Sequence, residues 1–351
     1  MLVQLAKKPG NVICAMIAAC LVAAPAAAAA DAIMIKRSFK SGTKHYVQHD
    51  TSIDQTITGN PMGDMKAKVK RLNGLWEEVK EASSDKSTVH LEFARSMYAV
   101  ESPMFTAEYD TDDPENEDAD PQIRTILQNV VGGKMTMGVD AKGQMTGFEG
   151  MNELAEAISK KAVMNMHWQQ MQHEFTDEAA GNAWGKGRLM LYPNRKVKVG
   201  EKWEGNTEEK HPMLGTLITN NVYELKEIRS NGGSKLAVIG VTTTVSRKES
   251  EQKGPGPEPE LSGTSTGEAI YDAAQGMVTS VTSTGDVKIS FAIPNMPEGT
   301  PPMNANMVVS SKTTVMSVKE RMAEAAEAAK RTEARIKAAE EEDDEDEDDD
   351  E

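Results

Sequence analysis

Ser265 stands in Gly263-Thr264-Ser265-Thr266-Gly267, which matches the G-x-S-x-G pattern of hydrolase nucleophile elbows. An elbow needs a buried strand before the serine and a helix after it, so that a sharp turn exposes the hydroxyl. Here a Pro/Glu-rich stretch precedes and a polar, strand-like stretch follows. The match therefore predicts no nucleophile. His167, His173 and Glu174 lie among Met164, Met166 and Met171, and thioethers favour soft Cu(I). Their spacing does not bring all of them onto one helical face, and packing accounts for the same residues. Asp110, Asp112, Asp113 and Glu115 begin an acidic run reaching residue 120, the one weak Ca²⁺ candidate. Pro114 occupies a ligand position of the EF-hand pattern and the glycine is missing, so a solvated loop is the simpler reading. The chain has no Walker loop, dinucleotide fingerprint, HExxH motif or Cys/His pair. A non-enzymatic protein without cofactor or metal is expected.

Compartment is the firmest expectation. Lys7 and Lys8 precede an uncharged apolar run over 12–24, Pro25 breaks it, and Ala26 to Ala30 offer A-x-A sites before Asp31. That order is a secretory signal, and its apolar run is shorter than the about 20 residues a membrane span needs. Ile17-Ala18-Ala19-Cys20 also resembles a lipobox. Lipidation at Cys20 is the alternative to cleavage near Ala30, although Leu21-Val22-Ala23-Ala24 continues apolar where a polar tether would be expected. The two cysteines, Cys14 and Cys20, both fall in this segment, so the mature chain is expected to fold without disulfides. An exported protein of the periplasm or cell envelope is expected, and an outer-membrane lipoprotein if Cys20 is the modified residue.

The elements that must position any site read mainly as antiparallel β. The segment 33–57 carries strand signals with a turn at Ser41-Gly42-Thr43, and 65–81 and 87–100 continue them. Ile123, Ile126, Leu127 and Val130 take helical spacing, and 134–148 reads as a hairpin turning at Gly143. In the middle, Met151, Leu154 and Ile158 define one helical face, and Met164, Trp168, Met171 and Phe175 another, with a phase shift near Lys161. A short helix is expected at 176–183. Strand signals resume through 216–246, 262–293 and 303–318, with a polar Pro/Gly-rich loop at 247–261. The hairpin at 138–146 has an echo at 269–279, which suits two β-rich halves, 31–150 and 185–318, flanking a helical segment at 151–184.

Residues 319–339 are rich in Ala, Glu and Lys with i,i+4 ion pairs, and predict a solvated helix projecting from the domain at 31–318. Twelve consecutive acids at 340–351 predict a disordered tail. The formal charge of −16 owes most to that tail. Without it and the signal segment, 37 basic residues face 43 acidic ones, a balance of −6. No basic stripe suggests nucleic acid as a partner, and no later segment is long and apolar enough to span a membrane.

The strand pair at 39–47, the GKMTMGVDAKGQMTGFEG hairpin, YPNRKVKVGEKW and the GEAIYDAAQGMVTSV hairpin together resemble a family of exported bacterial proteins. That family is known only as a domain of unknown function and is frequent in planctomycete-like genomes. The likeness covers roughly residues 33–318. It implies an α+β, mainly antiparallel fold with an open-barrel-like curved sheet, similar to lipoprotein-trafficking carriers, and carries over no catalytic residues. On that fold, helices over the concave face would act as a lid, with Met164, Met166, Trp168 and Met171 lining a site for a lipid or other apolar ligand, or for an envelope protein partner. The alternative is a packed scaffold that works through its surface and acidic tail.

Overall fold

In a computed structural model, the structure describes residues 32–59, 63–113, 119–162, 166–211, 214–248, 259–291 and 302–346. The signal segment with Cys20, and also Glu115, Met164 and most of the loop at 247–261, lie outside the described residues. In chain order the strands are β1 Ala32–Ile35, β2 Lys44–Thr58, β3 Met65–Ala82, β4 Lys86–Glu101, β5 Thr106–Asp110, β6 Lys134–Asp140 and β7 Met145–Glu149. After the helical segment come β8 Arg195–Lys198, β9 Lys202–His211, β10 Gly215–Asn231, β11 Ser234–Arg247, β12 Glu260–Asp272, β13 Met277–Phe291 and β14 Met303–Ser317.

Apart from the small β1–β8 pair, the strands form one twelve-stranded sheet in the order β7-β6-β4-β3-β2-β14-β13-β12-β11-β10-β9, with β5 on β4. Every pairing is antiparallel. The two β-rich halves read from the sequence are thus two wings of a single sheet, joined where β14 pairs β2 from Asn304↔Thr58 to Ser317↔His45. The sheet is curved and open. Register shifts at Gly74/Leu75, Val79/Glu81, Leu225/Glu227 and Ile270/Tyr271 supply bends, because a bulge adds local twist to one strand of a pair. Gly74 is required for a second reason: a Cβ there would lie 1.8 Å from the Tyr46 hydroxyl.

Helix α1 Pro121–Val130 lies within the first wing, between β5 and β6; between the wings run α2 Met151–Lys161, α3 Met166–Met171, a 3₁₀ turn Gln172–Glu174, α4 Asp177–Ala180, a π turn Gly181–Lys186 and α5 Gly187–Leu189. Asp120, an acid of the 110–120 run, caps α1 by accepting from the Gln122 and Ile123 amides at 2.8 and 3.0 Å. The apolar stripe Ile123, Ile126, Leu127 and Val130 is buried as its spacing requires. It joins Leu75, Leu91, Met135, Met137, Leu154, Ile158 and Trp168 in the core of the first wing. A second core gathers Ile33, Ile35, Val197, Tyr223, Leu225, Ile239, Ala269 and Tyr271 around the β1–β8 pair. Each fully buried aliphatic chain contributes about 1.5–3 kcal/mol.

The C-terminal helix, α6 Val318–Asp346, departs from expectation in two respects. It continues through residues 340–346, where the sequence predicts a disordered tail. A helix already nucleated over 318–339 extends at little cost per added residue, and Glu340 to Glu342 are good helix formers. It also does not simply project. Arg321 is buried at 5% exposure, pairs with Asp112 at 2.7 Å and stacks on the Tyr46 ring at 4.8 Å. Arg335 then bonds Asp113 at 2.9 Å.

Candidate functional site

Alternation assigns one face of the large sheet to its interior. By register this face carries Thr219 and Asn221 of β10, Val241 and Thr243 of β11, Val281 and Ser283 of β13, Ser311 and Thr313 of β14, and His49 of β2. The helical segment from Asp177 to Tyr192 lies over it. Several polar contacts fix that cover. Asp177 accepts from the Met151 amide at 2.8 Å and holds the Asn152 side chain at 2.8 Å, coupling α4 to the start of α2. Asn182 in the π turn donates to the Glu208 carbonyl of β9 at 3.1 Å. The Trp203 indole donates to the Met190 carbonyl at 3.2 Å, and the Tyr192 hydroxyl accepts from the Val278 amide at 2.8 Å.

Under this cover a cavity of about 410 Å³ opens between Arg188, Leu191 and Tyr192 on the helical side and Tyr223, Val241, Thr243, Val281 and Thr313 on the sheet. A second chamber of about 360 Å³ adjoins it, sharing His49, Ala183, Arg188, Glu209 and Thr313 and extending to Arg71, Phe175 and Trp184. Both volumes fall within the lower part of, or close to, the few hundred Å³ typical of small-molecule sites. The lining is mixed. Aliphatic and aromatic walls alternate with a band of hydroxyls bonded across strands: Ser283 to Ser311 at 2.8 Å, and Thr243 to Asn221 at 2.7 Å.

Three ionic features shape the site. Glu77 of β3 is fully buried and held by two guanidinia, Arg37 on one carboxylate oxygen and Arg188 on the other at 3.0 Å. Burial alone would raise its pKa; the two arginines outweigh that and bring it down to about 2. His49 sits between Thr313, 2.9 Å from Nδ1, and Thr51, 3.1 Å from Nε2, with its pKa pushed down chiefly by burial. Glu209 lines both chambers, and burial with the nearby Glu174 pushes its carboxyl up. Glu174 itself bonds Arg71 at 3.1 Å, while His173 meets His211 edge to face at 4.9 Å.

Of the residues singled out in the sequence, Glu174 lines the second chamber, whereas Trp168 and Met171 line neither. Trp168 belongs to the core of the first wing: its indole donates to Ser159 at 2.8 Å and its ring meets Phe175 edge-on at 5.1 Å. Met171 is half-buried at the end of α3; Met166 begins that helix, but its side chain, like that of His167, lies outside the description. The lining comes instead from the later turns of the helical segment and from the sheet. Ser265 lies mid-strand in β12, paired on both sides, with no elbow around it. In the acidic loop, Asp110 and Asp112 bind Arg95 at 2.6 and 3.3 Å, and Asp112 and Asp113 bind α6. These carboxylates are occupied by arginines, and among the described residues no group of three or more acidic, His or Cys side chains is placed to hold a metal.

Arg188 escaped the sequence reading because nothing around it in GKGRLM is periodic. Its partner did leave a trace. Glu77 falls in phase with Leu75 and Val79, both buried, and a carboxylate in an apolar register implies a buried cation.

No sequence among curated proteins matches this chain. Among solved structures, lipovitellin is similar with a TM-score of 0.40 and 11% identity over 80% of this chain, which spans only 25% of the lipovitellin chain. An outer membrane channel from Pseudomonas putida F1 matches with a TM-score of 0.22 and 9% identity, over 80% of this chain and 98% of its own. Neisserial surface protein A matches with a TM-score of 0.17 and 7% identity, over 78% and 98%. At these scores none of the three bears on the ligand of this chain. The model of a family of unknown function matches residues 84–278, from the turn before β4 to the start of β13, and on that match the chain belongs to the DUF6263 family.

Proposed function

We infer that this is a non-enzymatic binding protein of the cell envelope, exported by its N-terminal segment, which holds a small amphipathic molecule beneath its helical cover. The cavity between Arg188, Leu191 and Tyr192 and the inner face of the sheet carries this reading. A scaffold acting only through its surface has no use for an interior left open at that size, since protein interiors otherwise pack densely. The mixed lining narrows the ligand from the wholly apolar one expected from the sequence. Tyr223, Val241 and Val281 would take the apolar part, and the hydroxyl band with Arg188 the polar part. Among the described residues the acidic and basic side chains at the cavity wall are His49, Arg188 and Glu209. The two ring nitrogens of His49 meet the Thr313 and Thr51 hydroxyls, which suits a fixed polar wall.

The test is mass spectrometry of organic extracts from mature protein purified without detergent from a native-like envelope. A stoichiometric amphipathic molecule is the expected result. A ligand-free protein that also takes up no amphiphile on titration would overturn the reading. The intact mass of the same sample decides between cleavage near Ala30 and lipidation at Cys20.

A further inference from the structure

We propose that Arg188 is the receptor for a carboxylate headgroup, which makes the ligand a carboxylic-acid amphiphile such as a medium-chain fatty acid. The inference rests on the binding reading above and adds its chemical class. Glu77 brings two guanidinia to one carboxylate, so the cluster carries one positive charge beyond neutrality in a setting where an unbalanced charge is costly. Arg37 and Glu77 are closed off at 6% and 3% side-chain exposure, whereas Arg188 keeps 28%. It is also Arg188 that lines both chambers under the helical cover. The surplus charge is therefore presented to the cavity.

The other charged groups there do not neutralise it. Arg71 and Glu174 satisfy one another. Burial disfavours the charged form of His49, with Asp50 opposing and Arg188 reinforcing it. Glu209 makes no ion pair among the described residues, and its environment favours the neutral acid. With Glu77 its sole ion-pair partner among the described residues, Arg188 can offer the rest of its fork to a carboxylate, the geometry guanidinium recognises best. A single accessible guanidinium suits a monoanion better than a phosphate dianion. Leu191, Tyr223, Val241, Val281 and Val315 line the same cavity and would receive the alkyl chain.

The test is titration calorimetry on the full mature chain at pH 8 with decanoate and, as its uncharged counterpart, 1-decanol. Decanoate should bind at least about tenfold more tightly, since charge-assisted hydrogen bonds are roughly twice as strong as neutral ones. Arg188→Gln should erase that preference and leave decanol binding in place. Arg188→Lys keeps the positive charge but loses the guanidinium fork. It should weaken decanoate binding several-fold and leave decanol unchanged, and it keeps the proposal testable if Arg188→Gln fails to fold. Equal binding of the two probes by the native protein, unmoved by either substitution, would refute the headgroup assignment while the cavity reading stands. Binding of neither probe would refute both.

Discussion

Replacing Glu77 with Gln should destabilise the protein more than any other conservative change in the first wing. The carboxylate is buried between Arg37 and Arg188, and its pKa of about 2 lies well below the ordinary 4.5. At about 1.4 kcal/mol per pH unit, that difference corresponds to ~3 kcal/mol of stability carried by the ionised form. Removing one partner of a buried ion pair costs a comparable amount, about 3–5 kcal/mol, because the other charge is left uncompensated. The sign follows from linkage. With the folded pKa depressed, the contribution is complete above pH 4.5 and is lost as the pH falls toward 2. Urea unfolding at pH 7 should therefore show Glu77→Gln less stable by ~3 kcal/mol with an unchanged denaturant slope, and the gap between variant and native should narrow below pH 4. A cost under about 1 kcal/mol at pH 7, or a gap that is independent of pH, would refute the account of Glu77 as an ionised anchor.

Other expectations are simpler to check. Arg321→Ala should free the start of α6 by removing both the Asp112 pair and the stack on Tyr46; faster amide exchange over 318–337, with exchange in β2 and β3 little changed, is the measurement. Gly74→Ala should cost about 1–3 kcal/mol in a thermal or urea melt, because the new methyl meets the Tyr46 hydroxyl. Tyr46→Phe in contrast should be neutral or slightly stabilising, since the buried hydroxyl has no hydrogen-bond partner among the described residues. Millimolar Ca²⁺ should leave the melting temperature unmoved, because Asp110, Asp112 and Asp113 already bind Arg95, Arg321 and Arg335; a rise of several degrees would contradict that.

Most of the sheet was legible in the chain because alternation is a local property. The period-two pattern of β3, β11 and β13 states which residues face inward, and the hairpin turn at Gly143, with φ of +78°, states where the chain reverses. The stripe of α1 and the break between α2 and α3 were equally plain, since helical spacing is also local. The turns beyond residue 180 were harder to read. Gly181–Lys186 forms a π turn that leads into α5, and glycine-rich sequence gives no periodic signal for either.

What the sequence determined by itself was a set of strands, their inward faces, a helical insertion and an acidic C-terminal stretch. Tertiary structure alone decided which wing meets which, through the β2–β14 pairing of strands about 250 residues apart, and how each charge is spent. Asp112 and Arg321 are separated by 209 residues, and Arg37 and Glu77 by 40. An isolated aspartate looks like a solvated loop residue or a cation ligand until its arginine arrives. The same holds for the cavity. The residues around it come from two wings and the helical cover, and the positive charge at Arg188 exists only because Glu77 serves two guanidinia. Periodicity encodes which face a side chain takes, whereas long-range electrostatic pairing depends on distances that only the assembled sheet brings into being.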